Sequence, residues 1–323
     1  MKPIRISTDI KQFASSFYQE IFTSDRPDFV TQYDKIDSAL DVYDFDSREY
    51  KVLRFLKIYL KEIQLLHPED QATLIERFED RFGADLFYTG RKCTATDFSN
   101  KLIEILRYDR IQDYGAAKIA EKLNLKACPY CNAAIAVTVP KNSRRRKARF
   151  QLDHYFPKSK YPYLSSAFFN LIPSCGNCNQ TKSNSDVDLN LDFHLYAAST
   201  PENAFKFELD NAAVIKSTIG FKREDIKFKF QASNGNSEKY AQHHNKSFDI
   251  QGIYDTQKDV IEELIWKSQA YTDLKVEDLG KQLKVDSATV KRMVIGNYTD
   301  YEDIHKRPLA KFMQDIASDL DLL

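Results

Sequence analysis

The sequence predicts a mainly α protein that carries a small α+β insert. Three observations point there. Apolar side chains recur at helical spacing in both flanks of the chain. From Lys126 the pattern switches to β-branched and alternating residues. That middle stretch also holds two Cys-x-x-Cys pairs, Cys128–Cys131 and Cys175–Cys178. The expected segmentation is a helical N-terminal region over 1–120, the cysteine-bearing insert over 121–196, a short β-containing extension over 197–238 and a helical C-terminal region over 239–323.

In the first region, "SREYKVLRFLKIYLKEIQLLHPED" sets Val52, Phe55, Leu56, Tyr59, Leu60 and Ile63 at helical spacing, with Asp46 or Ser47 as the cap and Pro68 as the stop. "DFSNKLIEILRYDR" and "GAAKIAEKLNL" predict two further helices. Within the insert, "AAIAVTV" and "FQLDHY" predict two short strands joined by the polar loop "PKNSRRRKAR". A longer loop then leads to a helix after Cys178. "AFKFELD" and "DIKFKFQAS" alternate apolar and polar residues, as a hairpin or edge strands do. From about Lys239 the pattern is helical again. Val276–Gly296 fits two readings. One is a helix-turn-helix with Leu279, Leu283, Val285 and Val290 as its core, Asp286 or Ser287 capping its second helix, and Lys284 where the turn commonly has glycine. The other is an ordinary pair of packed helices.

With 42% hydrophobic and 29% charged residues, the chain has the composition of a folded soluble protein. No apolar run approaches the ~18–20 residues of a membrane span. The opening "MKPIRISTDIKQF" has no apolar core of secretory type. The expectation is a cytoplasmic protein without a membrane partner. Net charge is zero, but between Glu121 and Lys160 there are ten Lys or Arg against two acids. A basic island of this kind is the footprint of a nucleic-acid contact. Its candidate residues are Arg144, Arg145, Arg146, Lys147, Arg149, Lys158 and Lys160, each placed to meet phosphates without reading sequence.

The paired cysteines predict a metal site rather than disulfides. Each Cys-x-x-Cys turn offers two sulfurs, so Cys128, Cys131, Cys175 and Cys178 form a closed tetrahedral set for a structural Zn2+, and Gly176 suits a tight turn. Between the pairs lie Asp153-His154 and Asn170, and Asn179 follows Cys178 directly.

Quoted as "LDH", "FNL" and "CNQTK" with the cysteines around them, these residues resemble the HNH endonucleases and their ββα-metal fold. The resemblance covers about residues 126–185. It implies that His154 is the general base, that Asp153 and Asn179 are oxygen ligands of a single Mg2+ or Mn2+, that Asn170 holds the loop beside His154, and that Lys182 meets a phosphate oxygen. The basic island then implies a DNA substrate. The wording of the motif is similar to HNH proteins of bacterial antiphage systems, Septu-type nucleases among them, which implies a defence role and an ATPase partner. Two alternatives stand beside this reading: a non-catalytic zinc-stabilised nucleic-acid-binding or adaptor protein, and an HNH nuclease acting on RNA.

Overall fold

The computed structural model describes residues 1–23, 29–142, 145–210 and 223–323, with residues 140–142 and 145–146 described for the backbone alone. The N-terminal region is built from α1 (Thr8–Phe22), α2 (Gln32–Leu40), α3 (Arg48–Gln64), α4 (Pro68–Phe82), the short strands β1 (Tyr88–Thr89) and β2 (Thr94–Ala95), α5 (Asp97–Ile105), α6 (Tyr108–Arg110) and α7 (Ala116–Lys122). Ser47 caps α3 through Tyr50 N, one of the two caps expected. α3 ends at Gln64, shortly before Pro68, as expected. Pro68 is the first residue of α4, where its missing N–H would have no intrahelical partner anyway. The expected helix "DFSNKLIEILRYDR" breaks at Arg107, which takes a left-handed φ of 54°. That break turns Tyr108 into the interior.

In the insert, "AAIAVTV" and "FQLDHY" are not partners of each other. β3 (Val137–Asn142) pairs antiparallel with β4 (Arg145–Arg149), so most of the stretch expected to be a polar loop is itself a hairpin. The long aliphatic stems of Lys and Arg fit a strand, which polarity alone does not reveal. β5 (Gln151–His154) pairs instead with β6 (Leu171–Ser174), setting Asp153 opposite Ile172 and His154 opposite Leu171. β6 fell within the expected longer loop. It is buried along its whole length and contains Pro173, so it shows neither alternation nor ordinary strand composition. α8 (Gly176–Lys182) follows directly, with Cys175 at its N-cap. Gly176 has no left-handed φ, and a Cβ there would meet only the Gln151 side chain at 3.7 Å, so the turn does not demand glycine.

Beyond the insert, β7 (Phe205–Leu209) and β8 (Phe228–Ala232) form the expected antiparallel pair. Then come α9 (Glu238–Phe248), α10 (Ile250–Asp255), α11 (Lys258–Ala270), α12 (Asp273–Leu283), α13 (Ser287–Ile295) and α14 (Ala310–Asp319). Asp286 caps α13 as expected, and Lys284 takes a left-handed φ of 56° in the turn. Two of the positions expected to form a helix-turn-helix core, Leu283 and Val285, are exposed. The pair packs through Val276, Gly280, Val290 and Ile295.

One hydrophobic cluster runs from Met1 to Leu322, and the insert sits inside it. On one side Phe17 meets Phe168 edge-on at 5.6 Å, and Phe78 meets Tyr163 at 4.2 Å. On the other side the C-terminal region grips the first cysteine turn. Tyr254 donates to Cys131 O at 2.8 Å, His244 Nε2 bonds Tyr130 O at 2.6 Å, and the Asn132 amide reaches Ile304 O at 2.8 Å and Lys311 N at 3.0 Å. His194 and His244 are buried in structural hydrogen bonds. Among the described residues no helix is long and apolar enough to cross a membrane.

Candidate metal and catalytic site

The structure brings both cysteine pairs together. All four thiols are buried, and their Sγ atoms lie within 4.8 Å of one another. Tetrahedral zinc with Zn–S of about 2.3 Å needs sulfurs about 3.8 Å apart, so the set fits such an ion after a small contraction. Cys175 N donates to Cys128 Sγ at 3.3 Å, and Cys178 N donates to Cys175 Sγ at 3.5 Å, bonds that favour charge on sulfur. Hydrogen bonds from Cys128, Cys131 and Cys178 push the Cys175 thiol down, whereas its contacts with Cys128, Cys131 and Cys175 push Cys178 up. Four buried thiols at this distance cannot all ionise without a cation among them. The cluster is thus positioned to bind a metal ion.

Asp153 and His154 end β5, so their side chains leave opposite faces of the strand. The His154 face is turned to the N-terminal region. Its Nε2 lies 3.0 Å from Ser165 O, which assigns the proton to Nε2 and leaves Nδ1 as the acceptor nitrogen. The Tyr108 ring covers it at 4.5 Å, and Lys158 sits over that ring at 4.3 Å. Burial, with Lys158 and Lys182 adding to it, pushes the imidazole down to about 3 from its ordinary 6.5. At neutral pH it is uncharged.

The Asp153 face is turned to α8 and the first cysteine turn. Asp153 is 2% exposed. Its Oδ2 accepts from the Tyr130 hydroxyl at 2.6 Å, and Lys182 Nζ stands 3.3 Å from Oδ2 and 3.4 Å from Oδ1. Lys182 also donates to His154 O at 2.8 Å. One turn earlier on α8, the Asn179 amide donates to Gln151 Oε1 at 2.6 Å. Gln151 and Asp153 share a strand face, so Asn179 and Lys182 form two adjacent rungs against β5. Carboxylate and carboxamide oxygens, of the kinds Asp153 and Asn179 carry, are ligands that suit a hard divalent ion.

Asn170 is fully buried and fastens the turn that follows β5. Phe156 N donates to its Oδ1 at 2.8 Å, and its Nδ2 donates to Phe156 O at 3.1 Å and Leu164 O at 3.2 Å. The bond from Tyr155 N to Asn170 O, at 2.9 Å, continues the ladder from His154.

The expected phosphate-binding residues fare unequally. Lys147 and Arg149 are exposed on β4. Arg144 lies outside the described residues, and so do the side chains of Arg145 and Arg146. Lys158 is committed to the Tyr108 ring. Lys160 and Lys182 correct the expectation. Both are buried, Lys160 paired with Asp186 and Lys182 with Asp153, so neither presents a free cation to a phosphate. A groove of about 960 Å³ runs past Gln151 and Leu152. Lys147 and Phe150 line its strand side, and Glu20, Arg110, Gln112 and Lys118 face them. Tyr108, Tyr130 and Gln151 were missed from the sequence. The one signal for Tyr130 was its place inside "CPYC".

No curated protein and no solved structure matches this chain. Residues 128–185, which span both cysteine pairs, β5, β6 and α8, match the HNH endonuclease family model, so this part of the chain is similar to an HNH nuclease domain.

Proposed function

We propose that the protein is an HNH endonuclease that hydrolyses DNA phosphodiester bonds with a single Mg2+ or Mn2+, and that the four cysteines hold a structural Zn2+. The observation that carries this is that β5 with Asp153 and His154, β6 with Asn170 just before it, and α8 with Asn179 form one unit beside the gathered cysteines, within the matched residues. In this reading the unit is a ββα-metal core.

His154 acts through Nδ1. The bond to Ser165 O fixes the ring and its tautomer, and burial keeps it in the neutral form that takes a proton from water. An incoming phosphate anion raises its basicity by favouring the imidazolium. Asn170 holds the turn after His154 and so fixes where Nδ1 stands. Asp153 and Asn179 are the residues that hold the divalent ion. A bound ion supplies the positive charge that stabilises the phosphate oxygens and the leaving group. Lys182 neutralises the Asp153 carboxylate in the absence of that ion and yields the carboxylate to it. Lys147, Arg149 and the groove beside Gln151 favour approach of the polymer from that side. We place the enzyme in the cytoplasm, in bacterial antiphage defence with an ATPase partner, on the resemblance of the motif.

The test is cleavage of supercoiled plasmid with Mg2+ and with Mn2+ by wild type and His154→Ala. Metal-dependent nicking or linearisation by wild type alone is expected. Equal cleavage by both removes His154 as the base. A wild type that cuts RNA but not DNA moves the substrate. One that binds DNA and cuts neither polymer leaves the binding or adaptor reading.

A further inference from the structure

We propose that Tyr130 is a positioning residue for the catalytic metal, so that the zinc turn sets the affinity of the second metal site as well as the stability of the fold. This rests on the reading of Asp153 as a metal ligand.

Tyr130 lies between two of the thiols, in Cys128-Pro129-Tyr130-Cys131. Its side chain is 1% exposed, and its hydroxyl donates to Asp153 Oδ2 at 2.6 Å, closer than Lys182 at 3.3 Å. Everything around the ring fixes that hydroxyl. The ring stacks on Phe248 at 4.7 Å with planes 21° apart, and the residue's own carbonyl is held by His244 Nε2 at 2.6 Å. Neighbouring Cys131 O is held by Tyr254. The ring is held by Phe248 and its backbone by His244, and the carboxylate cannot rotate without losing the phenol.

Two consequences follow for a cation at Asp153. The hydroxyl takes one lone pair of Oδ2 and so sets the direction in which the remaining lone pairs of the carboxylate point. It also holds the carboxylate off Lys182. The distances of 3.3 and 3.4 Å to Nζ exceed the ~2.7–2.9 Å of a full charge-assisted hydrogen bond. Without the hydroxyl the carboxylate closes on the ammonium, and an incoming ion must displace a stronger pair. A hydrogen bond withdraws some charge from a carboxylate, but the loss of orientation outweighs this, since removing such partners typically costs about 10–100-fold in metal affinity.

The experiment measures Mn2+ binding to the zinc-loaded full chain by the EPR signal of free Mn2+, for wild type, Tyr130→Phe, Phe248→Leu and Asp153→Asn. Zinc content and melting temperature are recorded alongside. The expected result is loss of the site in Asp153→Asn and a Kd raised about tenfold in Tyr130→Phe, with zinc content unchanged. A Tyr130→Phe protein that binds Mn2+ like wild type, while Asp153→Asn does not bind, overturns the role of Tyr130. If wild type binds no Mn2+, or Asp153→Asn binds as wild type does, Asp153 is not the ligand and both readings fall. Should Tyr130→Phe lose zinc or fail to fold, Phe248→Leu decides. It keeps the hydroxyl but loosens the ring, and a Kd raised above wild type supports the proposal while an unchanged Kd overturns it.

Discussion

Lys182 Nζ stands 3.3 Å from Asp153 Oδ2, and both side chains are all but excluded from solvent. The ammonium is the counter-charge that makes a buried carboxylate tolerable without a divalent ion. Burial pulls the ammonium below its ordinary pKa and Asp153 opposes that pull, as expected for a pair that depends on itself. Lys182→Met removes the cation and leaves the carboxylate unpaired. Urea unfolding in EDTA at neutral pH is expected to show a loss of about 3–5 kcal/mol, partly restored by Mn2+. Unchanged stability would mean that the pair does not form in solution.

The thiol cluster predicts dependence on zinc. Cys178→Ser removes one of four ligands, and the melting temperature is expected to fall with loss of bound zinc, read by metal analysis on the same sample. Because Tyr130 reaches Asp153 from the cysteine turn, Mn2+ binding should weaken along with zinc loss. Full Mn2+ affinity in zinc-free protein would separate the two sites.

Asn170 joins three buried backbone groups that have no route to water. Asn170→Ala leaves them unsatisfied, at a cost of about 2–4 kcal/mol in equilibrium unfolding. Cleavage should fall further than stability at temperatures where the variant is still folded, because His154 loses the turn that fixes it. Activity that tracks only the folded fraction would limit Asn170 to a purely structural part.

Exposure separates the basic residues into two groups. Lys147→Gln with Arg149→Gln removes two exposed charges from β4. The slope of log K against log salt for duplex DNA is expected to shallow by about two. Lys160→Gln should leave that slope alone, since Lys160 is buried against Asp186. The same slope in wild type and the double variant would take the nucleic acid off this strand.

The candidate metal-binding and catalytic residues were legible because their spacing is local. Cys-x-x-Cys turns, Asp153-His154 and the Cys178-Asn179 step each need only a few neighbouring residues to be recognised, and helical periodicity exposed α3 in the same way. What spacing does not encode is pairing between distant segments. β6 hid its strand because it is buried on both faces and carries Pro173, so β5 had no visible partner. Lys182 was read as a phosphate contact, since a helix of about two turns does not reveal which face is covered. Tyr130 and Tyr108 were ordinary aromatics until the tertiary structure set one on Asp153 and the other on His154. The burial that lowers His154 to about 3 comes with Tyr108 of the N-terminal region lying against the ring, and the carboxylate is covered by Tyr130 and Lys182. The sequence by itself determined which groups are present and their order along β5 and α8. Only the tertiary structure decided which of them face water, which face each other and which hold a charge, because those depend on packing between segments far apart in the chain.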